Sequence, residues 1–369
     1  MKAFATYIWS DGTTPTARLR SKIRGVDVGH QYKESGPTGG PPQFSIPKVE
    51  AFPVWAFDGS STNQASGGDS DLLLKPIKVI ADPTRNSTYL VLCEVFYPNK
   101  KAHESNTRAT LRQTLQKIPV EAEPWVGFEQ EYTMYSEGRP LGWPENGDPP
   151  AQGPYYCSVG AETAYGRPLS SAHMKACSEA NLSICGSNAE VMIGQWEYQI
   201  GGPKVNLLTS CDDLILSRWL LECLGEYASP SITISYDPKP VKGDWNGAGC
   251  HTNFSTSAMR SEGGLDLIKD ACESLGEDVE ELLSNYGHDY ESRLTGAHET
   301  CRYDEFKWGI GDRTASVRIP TAVAMDGYGY LEDRRPNANC DPYQVCNAIL
   351  NRTKKHILSY NQSSNLFNR

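Results

Sequence analysis

In the stretch "WVGFEQEYTMY", Trp125 to Tyr135, two glutamates sit where a β-strand has no need of them. Successive strand side chains point to opposite faces, so Glu129, Glu131 and Thr133 share one face while Phe128, Gln130 and Tyr132 share the other. Two rungs of a strand span roughly 6–7 Å. At an effective dielectric of ~20, two like charges at that distance repel by about 2–3 kcal/mol. Either the face is solvated or something of opposite charge belongs there.

A second acidic pair lies in "NAEVMIGQWEYQI". A two-residue hairpin turn at Ile193-Gly194 would pair Met192 with Gln195, Val191 with Trp196 and Glu190 with Glu197. Facing carboxylates destabilise a sheet. One such pair alone reads as a solvated face, but two pairs among aromatic and apolar residues favour a hard cation, Mg²⁺ or Mn²⁺. "NGAGCH", Asn246 to His251, adds a histidine after a glycine-rich turn; taken alone, His251 reads as a structural residue.

Arginines supply the complementary charge in "ESRLTGAHET", "GDRTASVRIP" and "LEDRRPNANCD". Arg313 and Arg318 are five apart, and Arg334 and Arg335 lie just after Glu332. Guanidinium forks suit phosphate and carboxylate, although surface salt bridging is the ordinary role of any one of them. Carboxylates, arginines and glycine turns together point to metal-assisted phosphoryl transfer. The chain has no G-x-x-x-x-G-K-[ST] loop, and "GAG" before Cys250 is too short for a dinucleotide fingerprint. A bound nucleotide would need another architecture.

The elements that position these residues divide near Pro98. Before it, "ATYIW", "ARLRSKI", "PVWAF" and "TYLVLCEVF" read as strands with little helix between them. "SGPTGGPPQFSIP", Ser35 to Pro47, reads as a surface loop. After it, helices are expected in "SNTRATLRQTLQKI", from a capping-box start at Ser210 and Asp213, in "GLDLIKDACESL" and in "DPYQVCNAILNRTKKHI". Short acidic strands lie between them, so the fold class is α+β, with a small β-rich domain over 1–100 and a larger domain over 101–369.

The 369 residues allow two domains, and the 35 Lys and Arg against 45 Asp and Glu give a net charge of −10. That charge argues against nucleic acid or an anionic membrane as partner. No apolar run is long enough to span a membrane, and "MKAFATYIWSDG" lacks the pattern of a signal peptide. The 11 cysteines form no C-x-x-C pair and read as reduced core residues, so the expected location is cytoplasmic.

With these segments in view, the chain closely resembles the eukaryotic-type, short-chain glutamine synthetases. "FDGSST", "GFEQEYT", "GWPENG", "QGPYYCSVGAE", "NAEVMIGQWEYQIG", "DPKP", "NGAGCHTNFST", "RLTGAHET", "RTASVRIP" and "YLEDRRPNANCDPY" follow that family's order over most of the chain. The resemblance implies a β-grasp N-terminal domain, then a catalytic domain built on an antiparallel sheet flanked by helices. It implies sites formed between neighbouring subunits of a ring, typically in a decamer of two pentamers. The implied reaction phosphorylates the side-chain carboxylate of L-glutamate with ATP, and ammonia then displaces phosphate to give glutamine.

Matched motif by motif, Glu131, Glu190 and Glu197 would bind one divalent metal and Glu129, His251 and Glu332 a second, with a third sharing some of these ligands. Arg293, Asn246 and Gly247 would hold the amino-acid end of the substrate. Arg313, Arg318 and Arg334 would neutralise the transferring phosphoryl group and the ATP phosphates. Asp58, Tyr156 and Glu299 resemble the ammonium pocket, with Glu299 on a loop that would close over the intermediate. Trp125 would pack either near the adenine or in the core, and His298 reads as structural.

Three departures from the family text stand out. "TPTARLR" and "GPTGGPPQFSIP" replace the usual loops, and "CRYDEFKWGIGD" is bulkier and more charged than is typical. Asp312 stands where Asn is usual, and by pairing with Arg313 it would weaken phosphate binding.

Overall fold

The computed structural model of the chain describes residues 3–28 and 46–367. All but the last two residues of "SGPTGGPPQFSIP" fall outside that range. The chain divides into two compact units, Met1–Ala109 with Glu179–Asn181, and Thr110–Ser178 with Leu182–Arg369.

The first unit is built on five strands: β1 (Ala3–Ser10), β2 (Leu19–Val26), β3 (Trp55–Asp58), β4 (Asp71–Ala81) and β5 (Thr88–Phe96), in the order β2-β1-β5-β4-β3. Central β1 is buried on both faces and pairs parallel to β5 and antiparallel to β2. Tyr7, Trp9, Phe57, Leu72, Leu74 and Val91 form its core. Sequence reading passes over β4, "DLLLKPIKVIA", because Pro76 interrupts it. The structure accommodates this proline at a register shift between Pro76 and Lys78, beyond the reach of β3, which covers only Asp71 to Leu74. There the missing N–H breaks no ladder on that side.

The second unit carries the remaining strands: β6 (Trp125–Ser136), β7 (Arg139–Pro140), β8 (Ile184–Ala189), β9 (Gln195–Asn206), β10 (Thr233–Ser235), β11 (Cys250–Ser255), β12 (Trp308–Ile310), β13 (Val317–Ile319) and β14 (Leu331–Asp333). They form one sheet in the order β12-β13-β14-β11-β6-β9-β8, with short β7 and β10 also on β6. The helices are α1 (Thr107–Leu115), α2 (Arg167–Glu179), α3 (Leu207–Tyr227), α4 (Gly264–Ser274), α5 (Val279–Leu283), α6 (Tyr290–Arg293), α7 (Thr321–Asp326) and α8 (Pro342–Phe367). Helix α3 packs against β6, β9 and α8.

Two local expectations are corrected. Helix α3 starts earlier than the Ser210/Asp213 box, at Asn206, whose side chain accepts from Thr209 N at 2.9 Å. Asp213 instead accepts from Ser183 N and Oγ at 3.0 and 2.6 Å, so its carboxylate ties α3 to the start of β8. The hairpin between β8 and β9 is also longer than two residues. The expected turn at Ile193-Gly194 forms, with Gln195 N donating to Met192 O at 3.0 Å, but Asn188 faces Glu197 and Glu190 N donates to Gln195 O at 2.9 Å, so the loop runs over residues 191–194. Met192 and Ile193 are drawn into a cluster with Tyr155 and Trp245, and Gly194 turns with φ 83° against the backbone of Leu141, where any Cβ would collide. Burial of two apolar side chains outweighs the tight turn.

Helix α2 is joined to α3 through His173, whose Nε2 donates to Ser217 O at 3.0 Å while Ser217 Oγ bonds Tyr198 Oη at 2.9 Å. Burial holds the imidazole neutral and lowers its pKa to about 4, against the hydrogen bond to Ser217. A depressed histidine contributes stability above its unfolded value near 6.5 and loses it as pH falls through about 4, a change on the order of 3 kcal/mol. The urea midpoint is therefore expected to drop between pH 7 and pH 5, and His173→Gln should flatten that slope; parallel slopes in the two proteins would contradict this.

Candidate active site

The acids gather because four neighbouring strands, β14, β11, β6 and β9, present one face together. Sheet register sets Glu129 opposite His251 and Glu131 opposite Glu197, and sets Glu332 opposite both Asn253 and Arg318. On the other face of β6, Phe128, Gln130, Tyr132 and Met134 are fully buried, so the strand cannot rotate its acids away. The like-charge pair expected between Glu190 and Glu197 is replaced by one between Glu131 and Glu197.

His251 is the junction. Its Nδ1 lies 3.3 Å from Glu129 Oε2 and 3.4 Å from Glu332 Oε1, and its Nε2 lies 3.8 Å from Glu131 Oε1. The ligand atoms of Glu129, His251 and Glu332 lie within 4.8 Å of one another, the only such group of three among the described residues. Glu131, Glu190 and Glu197 are also brought together, but less compactly. Amides hold them: Gln195 Nε2 to Glu131 Oε2 at 3.0 Å, Asn188 Nδ2 to Glu190 Oε1 at 2.9 Å, and Gln199 Nε2 to Glu197. Asn253 Nδ2 likewise donates to Glu129 Oε1 at 2.8 Å.

Electrostatics show that the positive charge on this face falls short of its acids. Burial pushes Glu131 up to about 7; Arg293 opposes the shift and Glu129 adds to it. Burial also raises Glu190 and Glu197 well above the ordinary carboxylate range, reinforced by Glu131 in both cases. His251 is pushed well down by burial and by Arg334. Carboxylates raised by burial and mutual repulsion are those a divalent cation returns to the charged form. All the donors are oxygens and one imidazole, a hard set that suits Mg²⁺ or Mn²⁺.

The arginines divide by strand alternation. Arg318 Nη1 meets Glu332 Oε2 at 2.8 Å and Arg334 Nη1 meets Glu332 Oε1 at 2.6 Å. Neighbouring Arg335 instead makes a two-pronged bond with Asp333, buried in the core, and is structural. The Nε atoms of Arg318 and Arg334, with Gln195 Oε1 and Asn253 Oδ1, are buried without a hydrogen-bond partner among the described residues. Unpaired donors and acceptors beside one cluster of acids fit a site that takes both an anion and a cation.

Arg293 is buried against the glycine turn: a Cβ on Gly249 would lie 2.4 Å from its Nη2, and one on Gly247 would lie 2.7 Å from its Cγ. Its Nη2 reaches His251 Nε2 at 3.1 Å and Arg334 O at 3.0 Å. Asn246 adjoins that turn and accepts from Gln152 Nε2 at 2.9 Å. Arg313 is exposed, 3.9 Å from Glu299. The expected pairing of Asp312 with Arg313 does not occur. Asp312 accepts from Thr314 N and Oγ1 at 2.8 and 2.7 Å and lies 3.3 Å from Lys307 Nζ, because the turn folds its carboxylate back over Gly309. Tyr156 is 52% exposed, and its partial burial followed by the charge of Glu190 raises its pKa. Asp58 belongs to the first unit, where bonds from Ser60 and Ser61 hold its carboxyl down to about 2.

Trp125 is half-buried at one end of β6 and lines a cavity of about 380 Å³ with Phe128, Glu129, Ile200, Arg260 and Tyr330. It is therefore a cavity wall, within the usual size range for small-molecule sites. The Arg260 guanidinium covers one face of its ring at 3.4 Å. Sequence reading missed Asn253, Gln195, Gln199, Arg260 and Tyr330. Period-two spacing from His251 and Glu197 would have flagged Asn253, Gln195 and Gln199; nothing local marks Arg260 or Tyr330.

Buried acids that repel one another call for cations, and cations beside arginines with idle N–H groups call for phosphate. The class so defined is metal-assisted phosphoryl transfer. Comparison makes this specific: residues 1–98 match the family model "Glutamine synthetase, beta-Grasp domain" and residues 104–274 match "Glutamine synthetase, catalytic domain". The chain is 52% identical to the chloroplastic glutamine synthetase of Chlamydomonas reinhardtii, covering 94% of this chain and 89% of that one. It is 45% identical to the Homo sapiens glutamine synthetase, covering 95% and 89%. The fold matches the cryoEM structure of Plasmodium falciparum glutamine synthetase at TM-score 0.73 and 16% identity, over 97% of this chain and 72% of that one.

The chain belongs to the glutamine synthetase family. It is an enzyme that uses ATP to join ammonia to the side-chain carboxylate of glutamate. The family's chemistry uses a divalent metal, and the hard donor set described above fits one.

A linkage prediction follows from Glu131. The folded chain keeps a proton that the unfolded chain has released above about 4.5, so this stabilisation is full below 4.5 and is lost as pH rises through about 7. A cation replaces the proton. The thermal midpoint is therefore expected to rise more on adding Mg²⁺ at pH 8 than at pH 5.5, and Glu131→Gln should shrink that difference; equal gains at both pH values would contradict it.

Proposed function

We propose the following division of labour among the site residues. Glu131, Glu190 and Glu197 hold one divalent cation, and Glu129, His251 and Glu332 hold a second, with Mg²⁺ or Mn²⁺ as the ion and room for a third that shares ligands. When bound, these ions supply charge neutralisation to the ATP phosphates and the developing phosphoryl group. The reading is carried by the register that puts Glu131 opposite Glu197 and Glu129 opposite His251 on one buried face.

Arg293, with Asn246 and Gly247, orients the amino-acid end of glutamate so that its side-chain carboxylate meets the nucleotide. Arg318 and Arg334 each still have an N–H to offer the phosphates, and Arg313 approaches from the exposed side. Trp125 and Arg260 form the wall against which the adenosine end lies. Tyr156 and Glu299, with the Asp58 that a neighbouring copy of the chain supplies, bind ammonium, and Glu299 takes its proton so that neutral ammonia attacks the γ-glutamyl phosphate. Asp58, exposed and ionised, suits a cation pocket.

The domain division is 1–100 for the β-grasp part and 101–369 for the catalytic part. The working form is a homo-oligomeric ring, a decamer of two pentamers, in the cytoplasm. Among the described residues, no helix is long and apolar enough to cross a membrane.

Purified protein with ATP, Mg²⁺, glutamate and ammonia tests the assignment. Glutamine and phosphate should form only with metal, and Glu131→Ala or Arg313→Ala should each lower kcat by about 10²-fold or more. Unchanged turnover in either variant would sink the corresponding role. Glutamine synthesis should also exceed ligation of an alkylamine supplied in place of ammonia.

A further inference from the structure

The loop that carries Glu299 is held in place by a contact that the proposed roles leave unused. His298 and Glu299 are consecutive non-glycine residues with φ of 54° and 61°. An L-residue in that region is strained, and two in succession persist only where the surroundings fix them. Bonds inside the loop close its base: Thr300 N and Oγ1 donate to Ala297 O, and Thr295 bridges Arg302. None of these reaches the His298 side chain.

The restraint on that side chain comes from another segment. His298 Nε2 lies 2.7 Å from Asp244 Oδ1. Asp244 stands on a firm base, since the next residue, Trp245, is buried with Tyr155, Met192 and Ile193, and its carbonyl accepts from Lys239 Nζ. Gln152 Nε2 adds bonds to Asp244 O at 3.2 Å and Asn246 Oδ1 at 2.9 Å. The residue before Glu299 is thus tethered to the loop that also presents Asn246 and Gly247. Among the described residues, Glu299's backbone is otherwise held by a long bond from Arg334 Nη2 to its carbonyl, at 3.4 Å.

We propose that His298 and Asp244 are positioning residues whose hydrogen bond latches the 294–300 loop in its strained form, keeping Glu299 at the reacting centre and water out. The proposal rests on the role given to Glu299 above. Two nucleophiles compete for the acyl phosphate. Ammonia attacks the carbonyl carbon, the bond from that carbon to the phosphate oxygen breaks, the nitrogen loses one proton, and the products are glutamine and phosphate. Water attacking the same carbon breaks the same bond and returns glutamate and phosphate. ATP is consumed either way, so the ratio of phosphate to glutamine reports how well the latch works.

The test measures both products in the same samples of the full chain with ATP, Mg²⁺, glutamate and ammonium. His298→Ala and Asp244→Ala should each raise the phosphate-to-glutamine ratio by about threefold or more and raise the KM for ammonium, with the KM for ATP within about twofold of wild type. The double variant should be no worse than either single one, because both cut the same bond. Asp244→Asn, whose amide oxygen still accepts, should stay near wild type, and amide exchange over 295–300 should quicken in His298→Ala while the rest of the chain is unchanged. Alanine variants that keep the wild-type ratio and ammonium KM, or that add their effects in the double variant, would overturn the latch. If wild type forms glutamine but Glu299→Ala leaves the ammonium KM and product ratio unchanged, the role of Glu299 fails first, a distinct result.

Discussion

The second unit is organised around an unfavourable contact. Glu131 and Glu197 face each other across β6 and β9, both buried, on a sheet whose opposite face is packed too tightly to let either strand turn. Like charges in that position destabilise a sheet, and the protein keeps them by relying on charges it does not itself supply. Arg293 and Arg334 offset part of the repulsion felt at Glu131. The remainder is a binding free energy held in reserve for cations.

Short amides distribute that reserve. Gln195, Asn188, Gln199 and Asn253 each donate one N–H to a different carboxylate, which fixes the rotamer of each acid without neutralising it. An arginine in those places would satisfy the acid and abolish the need for metal. Arginine is confined to Glu332, which carries two, at the side where phosphate is expected. On the next residue the same chemistry does structural work, because Asp333 points into the core and Arg335 follows it. Strand alternation alone separates the acid on the site face from the acid in the core.

Local constraints set by remote packing recur through the unit. The 191–194 loop is long because Met192 and Ile193 are drawn under Trp245, and that placement sets Glu190 beside Gln195 instead of opposite Glu197. The same Trp245 anchors Asp244 and so reaches the loop of Glu299. One aromatic cluster therefore bears on an acid, on the glycine turn beside Arg293 and on the strained loop.

The sequence by itself determined which faces carry chemistry. Period two in "GFEQEYT" places Glu129 and Glu131 together, the motif set identifies the family, and four strands of the first unit and the helices α1, α4 and α8 are legible from alternation, helical spacing and polar starts. It did not determine β4, where a proline masks the pattern, the true start of α3, or the register of the β8–β9 hairpin. Those depend on which neighbour a strand meets and what a loop can bury, and neither is encoded locally. Tertiary structure alone decided that Glu131 faces Glu197, that Asp312 turns to Lys307 and Thr314 instead of Arg313, and that Trp125 lines a cavity. In each case the deciding quantity was an energy of packing or pairing between segments far apart in the chain, which no window of sequence contains.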